Sequence, residues 1–199
     1  MPRLFIDNLG EDDTQYAFMD AAGTTRFSSV CAGHDVDGGI STDIYQHDSI
    51  DCLAPPKHLV ATIKWPPNAF RDPVLVLHSE DQPQNMTKLQ LTTHFIKQSL
   101  SMVTKGRSRA HWKRIHESGK LVLFAGHTRE KRLIADECQH AGKRWLQIET
   151  KPVHHCSITD AEIVATWIAM NKVAGHDRTI FPFTFPRCLS KCFSLSQPA

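Results

Sequence analysis

The chain has 199 residues, of which 41% are hydrophobic and 22% charged, and its formal net charge is +2. This length suits one globular domain with a substantial core, and the composition excludes a wholly disordered or fibrous chain. The longest apolar runs are too short to span a bilayer, the N-terminus lacks a secretory h-region, and the scattered cysteines favour reduced thiols, so we expect a cytoplasmic protein without a membrane segment.

The first half of the chain predicts strands separated by turns. Apolar and β-branched runs recur every eight to twelve residues, with Gly, Pro or Asp between them. Residues 34–57 are polar and Asp-rich, and they predict a long loop that holds at most a short element of secondary structure. The predicted strands are Arg3–Asn8, Gln15–Asp20, Thr25–Cys31, His58–Trp65 and Pro73–Ser79.

The second half predicts alternating helices and strands. Leu91, Phe95 and Leu100 have helical spacing, which places a helix over Thr87–Val103. The other predicted helices are Thr128–His140 and Thr159–Ala174, and the other strands are Lys120–Ala125 and Arg144–Thr150. The expected fold is therefore α/β: a mixed sheet that begins with an antiparallel three-strand meander and has helices packed on it. We expect one domain over residues 1–180, followed by a Pro-, Ser- and Phe-rich tail over 181–199.

Three acids lie at the ends of predicted elements. Asp7 ends the first strand, Glu80 follows the most apolar strand, and Asp160 opens the last helix, with Glu162 two residues on. Carboxylates that converge at one end of a sheet would bind Mg²⁺ or Mn²⁺, which prefer oxygen ligands. Two such ions can activate water and stabilise the leaving oxygen in phosphodiester cleavage.

This arrangement resembles the RuvC-like nuclease branch of the RNase H-like superfamily. The resemblance rests on MPRLFIDNLG, QYAFMDAAGTTRFSSVCAG, VLVLHSE and ITDAEIVATWIAM. It implies an RNase H-like fold in which Asp7, Glu80 and Asp160 are catalytic and bind the ions, with Glu162 as a further ligand and Asp81 as a substitute. The acids in the last helix stand two residues apart rather than one turn apart, and an extra strand follows the 34–57 segment.

The same acids also have purely structural explanations. Asp7 suits a turn before Gly10, and Glu80 suits an exposed strand end. Thr159 and Glu162 have the spacing of a capping box, and an acid at position 160 interacts favourably with the helix dipole.

Basic residues concentrate in the second half. Residues 1–85 hold five Lys or Arg and thirteen Asp or Glu, whereas residues 86–199 hold eighteen and eight. Either the fold separates these charges, which would give a basic surface for a polyanion, or it interleaves them so that they cancel. The residues predicted to contact phosphates, with an aromatic to stack on bases, are Lys105, Arg107, Arg109, Trp112, Lys113 and Arg114.

Three functions remain open from the sequence. The first is a metal-dependent nuclease that cleaves structured or double-stranded nucleic acid. The second is a non-catalytic module that binds nucleic acid or protein. The third is a phosphatase-like or nucleotide-handling enzyme that uses Asp35 and Asp37. A zinc site formed by Cys138, His140 and the segment His154–Cys156 is a weaker alternative, and a homodimer is left open.

Overall fold

Short runs of β-branched and aromatic residues make most of the chain extended. The computed structural model describes residues 3–9, 15–34, 38–48, 57–67, 72–79, 82–94, 97–103, 109–115, 117–126, 131–149 and 158–176. Within these residues it has thirteen strands and one helix. In chain order the elements are β1 (Arg3–Asn8), β2 (Tyr16–Met19), β3 (Thr25–His34), β4 (Ile40–His47), β5 (Lys57–Trp65), β6 (Val74–Ser79), β7 (Gln82–Lys88), β8 (Gln90–His94), β9 (Lys97–Val103), β10 (Arg109–Arg114), β11 (Leu121–Ala125), β12 (Arg132–His140), β13 (Lys143–Ile148) and α1 (Asp160–His176).

All thirteen strands belong to one antiparallel sheet. Its order is β7-β6-β5-β4-β3-β2-β1-β13-β12-β11-β10-β9-β8, so nearly every strand pairs with its neighbour in the sequence. The exception is the pairing of β1 with β13, which joins the two halves of the chain. The ends of the sheet approach each other where β7 contacts β9.

The helix α1 lies at the centre of this curved sheet. Residues 162–171 are all buried, and α1 contacts strands from both halves of the sheet, including β4, β5, β9 and β10. Its sequence explains this position, because a helix that is apolar all round must be covered on every side. No helix in the described part of the chain has the length and apolar content that crossing a membrane requires.

In the described structure, the buried polar residues Thr166 and Asn171 of α1 have hydrogen-bond partners. The Thr166 hydroxyl accepts a hydrogen bond from Trp112 Nε1 (2.9 Å) and donates to the Glu162 carbonyl (2.6 Å). Asn171 donates to the Tyr16 hydroxyl (2.6 Å). Because a buried polar group without a partner costs about 1–3 kcal/mol, these bonds fix the rotation of α1 relative to β2 and β10.

The predicted fold class is wrong. The RNase H-like resemblance and the mixed α/β sheet both require several helices packed on a partly parallel sheet. In the described part of the chain the sheet is antiparallel throughout and encloses one helix. The initial three-strand meander and the last helix are confirmed, but neither is specific to that superfamily. The division into a domain over 1–180 and a tail stays a prediction, and residues 181–199 lie outside the described residues.

Two predicted helices are also wrong, and the predicted long loop contains a full strand. Residues 87–103 contribute to β7, β8 and β9, and residues 132–140 form β12. In β9 the buried Leu100 and Met102 alternate with the half-buried Ser99 and Ser101, which is the period of a strand. The 34–57 segment contains β4, whose Ile44 is fully buried.

The fold keeps the two halves of the sequence apart. Because the sheet is a meander on each side of the β1–β13 pair, β1–β7 form one half of it and β8–β13 form the other. Among described residues, the β1–β7 half holds five Lys or Arg and five Asp or Glu, whereas residues 90–149 hold nine and four. Among the described residues, the excess of positive charge therefore lies in the β8–β13 half of the sheet.

Candidate functional site

A cavity of about 600 Å³ opens at the end of the sheet where α1 begins. β1 and β3 start at this end, and β2, β4 and β13 finish there, because neighbouring strands are antiparallel. Apolar side chains, among them Leu4, Phe27 and Ile148, form part of the wall. The polar residues that line it are Arg3, Asp20, Arg26, Gln46, Thr159 and Asp160. We call this space the α1 cavity.

The first turn of α1 is fixed by a reciprocal cap. The Thr159 backbone N–H donates to Glu162 Oε2 (2.8 Å), and the Glu162 backbone N–H donates to Thr159 Oγ1 (3.2 Å). The Ile163 N–H donates to the Thr159 carbonyl (3.0 Å). These bonds leave the N–H groups of Asp160 and Ala161, two residues that line the cavity, for water or a ligand.

Two arginines bring positive charge to the same cavity. Arg3 begins β1 and Arg26 lies near the start of β3, so strands from one end of the sheet deliver both. Neither guanidinium has a carboxylate within ion-pair distance among the described residues. The paired N–H donors of both guanidinium groups are therefore available to bind an anion.

Asp160 is the predicted site residue that lies in this cavity. Partial burial of the carboxyl raises its pKa, although Asp160 as a whole is an exposed residue. The nearby positive charge of Arg26 acts in the opposite direction. Burial is the larger effect, so Asp160 takes up a proton at a higher pH than an ordinary aspartate.

The other acid in the wall is engaged in a turn. Asp20 Oδ1 accepts hydrogen bonds from the backbone N–H groups of Ala22 (2.9 Å) and Thr24 (3.0 Å). Gly23 in this turn has φ = +83°, a conformation that glycine adopts without strain. Asp20 thus shapes the rim between β2 and β3, and its charge is partly compensated there.

The predicted metal-binding carboxylates are not brought together in the described structure. Asp7 is exposed on the outer face of β1, about 13 Å along the strand from Arg3 by the usual rise per residue. Asp160 lies at the opposite end, and Glu162 is buried with one carboxylate oxygen committed to the cap. Glu80 and its substitute Asp81 lie outside the described residues.

No group of three or more His, Cys, Asp or Glu side chains is placed to hold a metal ion in the residues that the structure describes. The magnesium or manganese site therefore stays a prediction. Of the zinc alternative, Cys138 and His140 lie on β12, and Cys138 is a free thiol. The segment 154–156, like Asp35 and Asp37, falls outside the described residues.

The predicted nucleic-acid-binding segment is divided by strand alternation. Arg109 and Lys113 are exposed on the outer face of β10. Trp112 and Arg114 belong to the inner face, where Trp112 is fully buried, and it is therefore not available to stack on a base. Lys105 and Arg107 lie outside the described residues.

The sequence predictions missed Arg3 and Arg26. One signal was present, since these are the first two basic residues of a strongly acidic half, and each stands at the start of a predicted strand. What sequence could not show is that both strand starts lie beside the first turn of α1. No protein-family model, no curated protein and no solved structure matches this chain.

Proposed function

We propose that this protein binds a small organic anion, one with a carboxylate or phosphate group, in the α1 cavity. The observation that carries the proposal is the presence of two arginines in one cavity without an ion-pair partner in the described structure. A guanidinium offers paired N–H donors that match the oxygens of carboxylate and phosphate.

The helix supports the same ligand chemistry. The N-terminus of α1 carries partial positive charge, and the amides of Asp160 and Ala161 lie in the cavity wall. The cavity volume of about 600 Å³ falls in the usual range for small-molecule sites. Leu4, Phe27 and Ile148 would contact an apolar part of the ligand.

The proposed role is binding rather than catalysis. Among the described residues that line the α1 cavity there is no histidine, cysteine or serine, and the Thr159 hydroxyl and the Asp20 carboxylate are hydrogen-bonded within the helix cap and the β2–β3 turn. This role differs from the second sequence hypothesis, in which the ligand is nucleic acid or a protein, and that hypothesis also stays untested. The metal-dependent nuclease and the phosphatase-like enzyme stay untested predictions.

Replacing either arginine should weaken anion binding. Each of Arg3→Gln and Arg26→Gln removes charge-assisted hydrogen bonds worth about 1.5–3 kcal/mol, or roughly 10- to 100-fold in Kd. The measurement is isothermal titration calorimetry with citrate and, separately, inorganic phosphate. Arg132→Gln is the matched control, because Arg132 is exposed on β12 and does not line the cavity. If neither anion binds, or if Arg132→Gln weakens binding as much as Arg26→Gln, the proposal fails.

Anion affinity should increase as the pH falls through the raised pKa of Asp160. Protonation removes a negative charge beside the ligand, while Arg3 and Arg26 stay charged. Asp20, the other acid of the wall, has its carboxylate held by backbone N–H groups, and Glu162 of the same helix turn is buried in the cap. Sulfate is the suitable probe, because its own charge does not change in this range.

The substitution Asp160→Asn separates the effect of the Asp160 charge on anion affinity from the effects of the other acids near the cavity. It should tighten sulfate binding at pH 7, by about three- to tenfold if a screened like-charge repulsion of roughly 1 kcal/mol is removed. It should also flatten the pH dependence of Kd. A variant that binds sulfate more weakly than the natural chain, with an unchanged pH profile, would show that Asp160 does not face the anion.

A further inference from the structure

The outer surface of β10, β11 and β12 forms a second, separate feature, which we call the basic face. Its residues are Arg109, His111 and Lys113 of β10, Phe124 of β11, Lys131 just before β12, and Leu133 of β12. The registers His111–Phe124 and Phe124–Leu133 place these side chains on one side of the sheet. None of them lines the α1 cavity.

The cations of the basic face have no partners in the described structure. Arg109, Lys113 and Lys131 are exposed, and none has a carboxylate within ion-pair distance there. Asp136, the described acid nearest along β12, is paired with Lys120. The face therefore has a net positive charge that its own side chains do not neutralise.

An aromatic pair lies among these cations. The rings of His111 and Phe124 are stacked, with centroids 5.7 Å apart and an interplanar angle of 29°. Burial lowers the pKa of His111, and the charges of Lys131 and Lys113 lower it further. The lowered pKa favours the neutral form of the His111 ring at pH 7.

We propose that the basic face binds single-stranded nucleic acid. Phosphates would contact Arg109, Lys113 and Lys131, and an unpaired base would stack on Phe124 and His111. Leu133, which is 39% exposed, extends the apolar part of the platform. Cations that follow a backbone beside an aromatic platform are the usual features of surfaces that bind single strands without sequence preference.

The combination favours a single strand over other polyanions. The bases of a duplex are stacked inside it and cannot pack on a ring. An acidic peptide could form ion pairs with the cations of the basic face, but it has no nucleobase to stack on His111 and Phe124. The separation of basic charge into the β8–β13 half of the sheet accounts for the position of this surface on that side of the molecule.

The test is fluorescence anisotropy of the full chain with a labelled oligothymidylate of about 12 nucleotides, a length within the usual site size. Phe124→Leu should weaken binding about tenfold by removing base stacking. Lys113→Gln with Lys131→Gln should weaken binding and reduce the salt slope by about 1.4, since each phosphate contact of a single strand contributes about 0.7.

The matched control carries Lys57→Gln and Lys64→Gln, two exposed lysines on β5 in the other half of the sheet, and should bind like the natural chain. Circular dichroism checks that every variant is folded. Oligonucleotide binding and citrate binding are measured separately, so failure of this proposal and failure of the cavity proposal are distinguishable. The proposal is overturned if the oligonucleotide does not bind, if Phe124→Leu has no effect, or if a duplex or polyglutamate binds as tightly.

Discussion

Trp167→Ala should lower the free energy of unfolding by about 3–5 kcal/mol, the usual cost of truncating a fully buried aromatic side chain to alanine. Trp167 is at the centre of α1 and has no exposed surface. Its ring makes edge contacts with Tyr16 (centroids 5.2 Å apart) and Phe18 (5.6 Å apart), both on β2. Alanine would leave a cavity between the helix and the sheet. Since domains of this size have about 5–15 kcal/mol of stability, the loss should be large in urea denaturation followed by circular dichroism.

Trp145→Ala is the matched control for this variant. Trp145 is half-buried on the outer face of β13, where its ring contacts Phe5. Its truncation removes less buried surface and leaves no enclosed cavity, so we expect a loss of about 1 kcal/mol. An equal loss from the two substitutions would mean that α1 is not the centre of the core.

Glu137→Ala should destabilise the chain by about 2–3 kcal/mol, because it breaks hydrogen bonds to a charged group and leaves that group without its partner. Glu137 Oε1 accepts from Arg144 Nε (2.7 Å), and Oε2 accepts from Trp167 Nε1 (3.3 Å). Arg144 also donates to Asn171 Oδ1 (3.0 Å), so the network joins β12, β13 and α1. The estimate stays below that for a fully buried ion pair, since the Arg144 side chain is 39% exposed.

Two further variants separate charge from packing at this position. Glu137→Gln keeps an acceptor of the same shape and should cost about half as much as alanine. Glu117→Ala, an exposed acid beside the β10–β11 turn, should change stability by less than about 0.5 kcal/mol. Thermal or urea unfolding measures all three. If Glu137→Ala were as mild as Glu117→Ala, the network would contribute nothing to holding α1.

The strands that sequence predicts correctly are those with a clear local signal. Arg3–Asn8 and Val74–Ser79 are apolar runs with polar residues or proline at their ends, and they form β1 and β6. The last helix was also identified, because its cap and its long apolar run are both local features. The central position of α1 follows from its lack of a polar face. The prediction of helices packed on the outside of a sheet did not take this lack into account.

The errors in secondary structure arose where the apolar residues fit both the repeat of a helix and the repeat of a strand. Leu91 and Leu100 suit a helical face, but they are also directly paired across β8 and β9. In β12, Ile134 and Ala135 are buried by strands on both sides, a tertiary effect that no local pattern encodes. Strand preference depends strongly on such neighbours, and the pairing of β1 with β13 across the whole chain could not be read from any segment.

The site was predictable only in part. The acid at the start of the last helix was identified, but the metal role assigned to Asp160 came from the resemblance that the fold contradicts. The chemistry of the cavity depends on Arg3 and Arg26 as well, and their position beside Asp160 follows from the order of strands. Likewise, the alternation of β10 buries Trp112 and places His111, which stacks on Phe124, on the outer face.

The central claim, an anion held between two arginines and the start of α1, is tested most directly by ¹H–¹⁵N NMR during a titration with citrate. We predict saturable shifts of the backbone amides of Asp160 and Ala161 and of the Arg26 Nε–H signal, with one common Kd. The amides of β10 and β11 should stay unchanged. Saturating shifts confined to the outer face of β10 and β11, or no saturating shift at Asp160 and Ala161, would contradict the claim.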